Sequence, residues 1–482
     1  MSNSVDKKVL VKQSELPVKI LQFGEGNFLR AFIGEVVHQL NQKAQYNGGI
    51  AVIQPIEQGM VSQLESQGGA YTLFLNGLQN TKQIQEKKLI QTIVKTNNPY
   101  VDFAAFLELG KLPDLEFIFS NTTEAGIQFV ASDQFSDRPP SSFPAKLTRL
   151  LWERFTHFNG SDASGLHILP CELINYNADT LKKTVLDYAH LWNLGASFIQ
   201  WIETANTFCN TLVDRIVPGY PRENLAFYEE QLDYKDTLLV TAEPFFLWVI
   251  EGNDQLKSKL HLDQIDLDIK VVEDLQPFRT QKVRILNGAH TSTVPLALLY
   301  GHQTVSDLFK SEFTQHFLEQ TVRNEIAPTL AMDQTVLKQF TEAVFDRFKN
   351  PFINHYLASI ALNSIAKFKV RVLPSLLSFF EKTNTLPPNL VFSFACLIKF
   401  YQGEWKGKQL PVQDDANVVM KYKNFWKIES TGERVKEILA DNASWDQNLN
   451  EIPKLADQLT ATLNDFEQND IESSYYKHLK NQ

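Results

Sequence analysis

The sequence predicts an α/β chain in two parts, a domain built on a parallel sheet over residues 1–280 and a mostly α-helical domain over 281–482. Three observations carry that expectation. Short apolar runs at 18–23, 49–54, 116–120 and 166–170 each end in glycine or polar residues, and most then lead into a helical pattern. The first of these ends is Gly24-Glu25-Gly26-Asn27-Phe28-Leu29-Arg30, a glycine turn between a strand and a helix. After Lys282 the strand-like alternation stops, and 290–400 is dominated by long helical patterns rich in phenylalanine.

Composition narrows the classes. A chain of 482 residues, 43% hydrophobic with 34 phenylalanines and 14 tyrosines, can bury two large cores. The formal charge of -10, from 56 acidic and 46 basic residues, disfavours a nucleic-acid partner but leaves room for a small anionic substrate in a locally basic pocket. The three cysteines, Cys171, Cys209 and Cys396, form no CxxC pair, so neither a disulfide framework nor a cysteine zinc site is expected, and no metal is assigned. The residues after Met1 form no apolar signal core, and no run reaches the ~18 apolar residues of a membrane span. The expected setting is therefore the cytoplasm, with a small-molecule substrate and no membrane partner. Monomer and homo-oligomer both remain open.

Taken in order, 18–23 is a strand, the glycine turn follows, and Ala31-Phe32-Ile33 with Val36-Val37 carries a helix to Leu40. Gly24 and Gly26 let the backbone approach a pyrophosphate, and the helix start offers free N–H groups. Leu29 stands where the usual third glycine would be. The second strand ends at Gln54, an amide able to bond a ribose hydroxyl, with Glu57 close by and no Arg or Lys placed for a ribose phosphate; NAD is favoured over NADP. Residues 71–94 read as a hairpin and 101–109 as a helix. The strand at 116–120 ends in Asn121-Thr122-Thr123-Glu124-Ala125-Gly126, polar residues at the place where α/β sheets bind ligands. A proline-containing loop at 136–144 precedes a helix over 145–158. The strand at 166–170 runs into Cys171-Glu172-Leu173-Ile174-Asn175-Tyr176-Asn177 and a helix from Asp179. Cys171 reads as a packed thiol. A helix is expected over 193–208, and Asp214-Arg215 reads either as a structural ion pair or as part of a site. A strand over 237–242 is expected to continue as an apolar wall to Ile250. In the tail, helices are expected over 432–440 and 453–464.

The stretch with most chemistry is Lys282-Val283-Arg284-Ile285-Leu286-Asn287-Gly288-Ala289-His290. If it is helical from Asn287, then Asn287 and His290 share a face and Lys282 lies one to two turns upstream. An amine, an amide and an imidazole together suit carbonyl or alcohol chemistry: one group moves a proton, the others hold an oxygen. A plain turn at Asn287-Gly288 fits the same string. Further on, His355, Ser359, Asn363 and Lys367 are spaced by four and form one polar stripe on an expected helix over 354–367, with Lys369 and Arg371 adding charge beyond it.

Together these residues resemble the long-chain polyol dehydrogenases, whose type member is mannitol dehydrogenase. The resemblance spans nearly the whole chain. It is carried by Gly24-x-Gly26-x-Phe28-x-Arg30, Ser120-Asn121-Thr122-Thr123-Glu124, Cys171-Glu172-Leu173-Ile174, Asn210-x-x-Val213-Asp214-Arg215-Ile216, Glu243-Pro244-Phe245 with Trp248-Val249-Ile250, and Lys282 with Asn287 and His290. It implies a Rossmann-like NAD-binding domain, a mostly α-helical C-terminal domain, and metal-free hydride transfer. Its implied cofactor residues are Phe23, Gly24, Gly26, Asn27, Phe28, Gln54, Asn121, Thr122, Thr123 and Glu124. By the same resemblance Lys282 is the catalytic lysine, Asn177 and Asn287 hold the oxyanion, and His290 contacts substrate. Val213, Asp214 and Lys367 fall on substrate-side positions, and one of Lys367, Lys369, Arg371 and His355 is expected to hold the substrate carboxylate, with nothing in the sequence to choose among them. Ile285 and Ser359 stand where the polyol enzymes have a threonine and an arginine. That departure points away from mannitol, and the segments Cys171-Glu172-Leu173-Ile174 and Leu362-Asn363-Ser364 to Lys367-Phe368 resemble instead the tagaturonate-reducing branch of the family, with a sugar acid as substrate. A fructuronate reductase, a polyol dehydrogenase and a nucleotide-binding regulator without turnover are the competing readings.

Overall fold

The computed structural model describes residues 8–9, 15–123 and 125–480. They group into two units: the described residues up to Asn76 with Gln83–Leu275, and Gly77–Lys82 with those from Gln276 onward.

The first unit is built on six strands, β1 Val18–Phe23, β2 Gly49–Ile53, β3 Ile93–Asn97, β4 Phe117–Ser120, β5 His167–Pro170 and β6 Thr207–Phe208. They lie in the order β3-β2-β1-β4-β5-β6, all parallel. Such a sheet is covered on both faces, so its strands are apolar throughout rather than alternating. Ile20, Ile50, Val52, Phe117 and Phe119 enter one core, while Leu21, Phe23, Ala51, Ile53 and Ile118 enter the other. The strand order reverses between β1 and β4, which are paired through Phe23 and Ser120, and their carboxyl ends frame the place where this architecture takes a ligand.

Most expected helices are present with adjusted ends. The single helix expected up to Leu40 is two, α1 Asn27–Ala31 and α2 Ile33–Lys43, broken at Phe32. The Phe32 ring stacks between Phe28 and Phe246, at 4.9 and 4.2 Å. Next come α3 Phe143–His157, capped by Ser142, and α4 Asn177–Leu191. The helix expected over 193–208 shrinks to α5 Ala196–Thr204, because Gly195 at φ +90° precedes it. The expected hairpin forms, Tyr71–Gln79 with Lys82–Ile90, and its first strand pairs in parallel with Val240–Ala242. The apolar wall expected to continue that last strand does not do so. Leu247–Glu251 joins a separate sheet with Thr211–Asp214 and Ile269–Val272. Pro244, between the two segments, has no N–H with which to extend a ladder.

In the second unit a helix runs from Gln276–Gln281 through a π-helical turn, Lys282–Asn287, into α6 Gly288–Tyr300. Then come α7 Gln334–Phe348, α8 Ser364–Arg371, α9 Pro388–Phe400, α10 Leu455–Phe466 and α11 Ile471–Lys480. Every residue of α9 except Pro388 is buried, which explains its nearly continuous apolar sequence. It lies beside α6, with the Ser393 hydroxyl donating to the Ser292 carbonyl at 2.6 Å. The hairpin turn belongs to this unit through the Thr81 N–H, which donates to Asp346 Oδ2 at 3.0 Å. Tail helices form at Thr431–Leu439 and in α10.

Candidate active site

At the end of β1 the chain must turn sharply. Gly24 has φ +115°, its N–H donates to the Ile53 carbonyl at 3.0 Å, and a Cβ there would stand 3.1 Å from the Asn121 carbonyl oxygen. A side chain at this position would be both strained and crowded. Gly26 begins α1, and a Cβ added to it would meet nothing within 4 Å, so open space lies against the backbone here. Arg30 folds back over the turn and donates to Asn27 Oδ1 at 2.7 Å and to the Glu25 carbonyl at 3.3 Å. Phe28 packs on Phe32.

Two of the expected cofactor residues are committed elsewhere. The Phe23 ring is buried against Phe106 and Phe143, so only its backbone faces the turn, where its carbonyl accepts from the Asn121 N–H at 3.1 Å. The Gln54 amide, buried, donates to the Ile56 and Glu57 carbonyls at 3.0 and 2.8 Å and accepts from the Val61 N–H at 3.4 Å. It shapes its own loop instead of reaching out to a ribose. The residue that sequence reasoning missed here is Glu25. Its buried carboxylate accepts from the Met60 N–H at 3.1 Å, and burial pushes its carboxyl upward. Gly59 is the matching small residue, since a Cβ on it would overlap both Glu25 and Gln54.

The end of β4 is held by a second missed residue, Glu172. One carboxylate oxygen accepts from the N–H and the hydroxyl of Thr122, both at 3.0 Å, and the other accepts from the Ser120 hydroxyl at 3.0 Å. Asn121 donates to the Cys171 carbonyl at 2.6 Å. Glu172 is buried, and burial raises its carboxyl above the ordinary range. Thr123 sits at φ +92°, a strained setting for a β-branched residue. Glu124 lies outside the described residues.

Asn177 was expected to hold the oxyanion, and the structure gives its amide other work. It is fully buried at the start of α4. Its Nδ2 donates to the carbonyls of Pro170, Glu172 and Thr211, at 2.9, 3.1 and 3.2 Å, and its Oδ1 accepts from Thr211 N and Ala178 N. Both amide hydrogens are used in joining strand ends, leaving none for a substrate oxygen. Val213 is a core residue beside Trp248, and Asp214 ends its strand buried. Arg215 does not stand as the partner expected for Asp214. It pairs in the interior with Glu35, which also accepts from Lys88 at 2.6 Å. Those two cations hold the Glu35 carboxyl low against the opposing effect of burial.

In the second unit Lys282 and Asn287 are the first and last residues of the π-helical turn, and His290 follows one turn into α6. Isolated π turns inside α-helices recur at functional sites. Ile285, between them, is fully buried, an environment that suits an aliphatic side chain. His290 is only 9% exposed, and its Nε2 is buried with no hydrogen-bond partner among the described residues. Its ring stacks on Phe348 at 4.1 Å and meets His355 edge-on at 5.1 Å. Burial, then the charges of His355, Arg347, Arg371 and Lys367, drive its pKa well below the usual histidine value. It is therefore a neutral imidazole at pH 7.

The stripe from His355 to Lys367 is not one helix. A short helix at Leu357–Ile360 ends, Asn363 turns at φ +54° with its N–H donating to the Gln413 carbonyl at 3.0 Å, and α8 starts at Ser364. Asparagine tolerates that left-handed backbone, so spacing by four does not carry across it. Ser359 ends up exposed. Lys367 still points back, with Nζ donating to the Ile360 carbonyl at 2.9 Å. Lys369 leaves the set by pairing with Asp446 at 2.6 Å. Arg347 lies buried near the end of α7, one residue before Phe348.

No group of His, Cys, Asp or Glu among the described residues is placed to hold a metal. The cysteines are all buried, and burial raises the Cys171 and Cys396 thiols well above their usual value. The glycine turn, the open space at Gly26 and the parallel sheet order fit a dinucleotide. No helix among the described residues is long and apolar enough to cross a membrane.

Comparison with known proteins agrees with this geometry. The mannitol dehydrogenase Rossmann domain matches residues 18–264, and the mannitol dehydrogenase C-terminal domain matches 274–467. The chain is 47% identical to an altronate oxidoreductase of Yersinia enterocolitica over 93% of its own length and 94% of the relative's. It is 46% identical to the Klebsiella pneumoniae altronate oxidoreductase, with the same two shares covered. Among solved structures, a D-sorbitol dehydrogenase in substrate-free form superposes with TM-score 0.81 at 18% identity, over 97% of each chain. Mannitol 2-dehydrogenase of Pseudomonas fluorescens, in a ternary complex with NAD and D-mannitol, gives 0.67 at 17% identity, over 98% of this chain and 97% of that one. With both family domains matched in order along the chain, the protein belongs to the mannitol dehydrogenase family and is an NAD-dependent oxidoreductase.

Proposed function

We propose that this protein interconverts D-tagaturonate and D-altronate in hexuronate catabolism, in the cytoplasm, with Lys282 as proton carrier. The observation that carries the reading is the coincidence of near-half identity to altronate oxidoreductases over 93% of the chain with Lys282, Asn287 and His290 on one continuous helix through a π turn.

NAD supplies the hydride acceptor, and NADH the donor. Gly24, Gly26 and the backbone at the start of α1 would hold its pyrophosphate, and Asn121, Thr122 and Thr123 would border the nicotinamide end. The chain's own residues handle the oxygen and the proton. As the ketone carbon is reduced, negative charge grows on its oxygen, and the Asn287 amide donates a hydrogen bond to it. Lys282 gives that oxygen its proton. In the oxidative direction neutral Lys282 removes the proton from the alcohol. Neutral His290 has a ring nitrogen with no partner among the described residues, and it can orient a substrate hydroxyl. With Asn177 committed to strand ends, Asn287 is the amide left to hold the oxyanion.

The test is NADH oxidation by purified protein, with tagaturonate, fructuronate and fructose offered in parallel and NADPH as control. Turnover preferring tagaturonate with NADH is expected. Preference for fructuronate or fructose would replace the substrate assignment, and binding of NADH with no turnover of any of the three would favour a regulator.

A further inference from the structure

The Glu25 carboxylate joins the glycine turn to the loop after β2. Glu25 lies between Gly24 and Gly26 and is only 6% exposed, and its Oε1 accepts from the Met60 N–H at 3.1 Å. Its Oε2 accepts from no other described residue. A carboxylate so placed keeps acceptor capacity for further donors. Burial raises this carboxyl, and hydroxyl donors from a ligand would relieve that cost. In a sheet of this order an acid at the end of the second strand ordinarily takes the ribose hydroxyls of a dinucleotide. Gln54 stands there instead, and its amide is spent on the Ile56 and Glu57 carbonyls and the Val61 N–H. Glu57 itself is exposed. At Gly59 a Cβ would overlap Glu25 Oε1, so the loop after β2 packs directly on the carboxylate. Arg30, the nearest basic residue in sequence, is buried and uses Nε, Nη1 and Nη2 on the Glu25 carbonyl, the Leu238 carbonyl and Asn27 Oδ1. It is in no position to receive a ribose phosphate.

We propose that Glu25, in place of an acid at the end of β2, receives the adenosine ribose hydroxyls of NAD and excludes the 2′-phosphate of NADP. The inference rests on the oxidoreductase reading above, with the pyrophosphate at Gly24 and Gly26, and deepens it. Oε1 ties the loop through Met60, which leaves Oε2 for the ribose. A ribose with both hydroxyls free donates to a carboxylate, and hydrogen bonds to a charged acceptor are stronger than neutral ones. A 2′-phosphate brings negative charge and no donor hydroxyl at that carbon, and like charges set together oppose binding. Arg30, spent on its own turn, does not offset that charge.

The experiment compares the full-length parent with Glu25→Gln and Glu57→Gln. It reads calorimetric Kd values for NADH and NADPH with no sugar present, and the urea midpoint of each protein. The parent is expected to bind NADH about a hundredfold more tightly than NADPH. Glu25→Gln keeps an oxygen for the Met60 N–H and nearly the same shape, but removes the charge. It is expected to weaken NADH about three- to tenfold and to cut the preference to about tenfold or less. Glu57→Gln is expected to keep the parent's preference. The parent alone also reads the hydroxyl, whether or not a variant folds: 2′-deoxy-NADH is expected to bind about tenfold more weakly than NADH. Equal binding of those two, or of NADH and NADPH, by the parent overturns the proposal. So does a folded Glu25→Gln whose preference stays within about threefold of the parent's, because shape and not charge then excludes the phosphate. A preference that falls in Glu57→Gln and not in Glu25→Gln gives the role to the loop after β2 and overturns it as well. None of these outcomes touches the tagaturonate assignment, since no sugar is present. A parent that binds neither nucleotide overturns the cofactor placement itself.

Discussion

Replacing Glu172 tests whether the end of β4 is built for a cofactor or is merely a capped turn. In Glu172→Ala three hydrogen bonds to Ser120 and Thr122 disappear. The two hydroxyls can rotate toward other acceptors, so the Thr122 N–H carries most of the loss, about 1–3 kcal/mol for an unsatisfied buried donor. The space left by a buried side chain adds to this, for a total of roughly 3 kcal/mol in stability. If the loop after β4 borders the nicotinamide, part of that loss also appears in binding: ~1.4 kcal/mol of loop ordering weakens NADH tenfold. Glu172→Gln keeps an oxygen for Thr122 and can donate to the Ser120 hydroxyl, so it should bind NADH nearly as the parent does. It also isolates the charge. Burial raises the Glu172 carboxyl, so its contribution to stability is complete below the ordinary carboxylate range and is lost as pH rises through the raised value. A neutral amide has no such loss, and the stability difference should move in favour of Glu172→Gln as pH increases. NADH fluorescence titration and urea unfolding at several pH values measure both effects. An NADH Kd within twofold of the parent in folded Glu172→Ala would refute the cofactor role, and a Gln-to-Glu stability difference that ignores pH would refute the burial argument.

Other perturbations bear on different parts of the chain. Lys282→Ala should lower turnover by about 10²–10⁴ at every pH while leaving the NADH Kd unchanged; near-normal turnover in stopped-flow assays removes the proton-transfer role. Arg215→Met strands the buried Glu35 carboxylate with Lys88 as its remaining cation, and should cost about 3–5 kcal/mol in urea unfolding. Glu325, buried in the second unit, accepts from the Asn389 and Leu390 N–H groups at 2.8 Å, and burial pushes its carboxyl up to about 8. Its stabilising contribution is therefore present at acid pH and lost as pH rises through about 8, on the order of 3 kcal/mol between pH 6 and pH 9. Glu325→Gln should flatten that segment of the stability profile, and an unchanged slope counts against the raised carboxyl.

What could be read from the sequence followed from periodicity and from glycine. Both parallel-sheet faces at β1 are apolar, the turn after it needs Gly24, and the fully buried α9 is one apolar run; each is a local pattern with one structural meaning. The failures share a different cause, because they are decided by partners distant in sequence. Asn177 and Gln54 carry the amides that a ligand site requires, yet buried backbone groups nearby claimed them first. Unsatisfied buried backbone is costly enough that an amide beside several strand ends is more often structural than catalytic.

The basic residues make the same argument in reverse. Lys367, Lys369 and Arg371 lie within five residues of one another, and nothing in their spacing separates them. The left-handed turn at Asn363 and the start of α8 at Ser364 set their directions: Lys369 goes out to Asp446, Lys367 goes back to the Ile360 carbonyl, and Arg371 lies against Thr291 beside His290. Arg347 reaches the same neighbourhood from α7, and only the stacking of Phe348 on His290 reveals it.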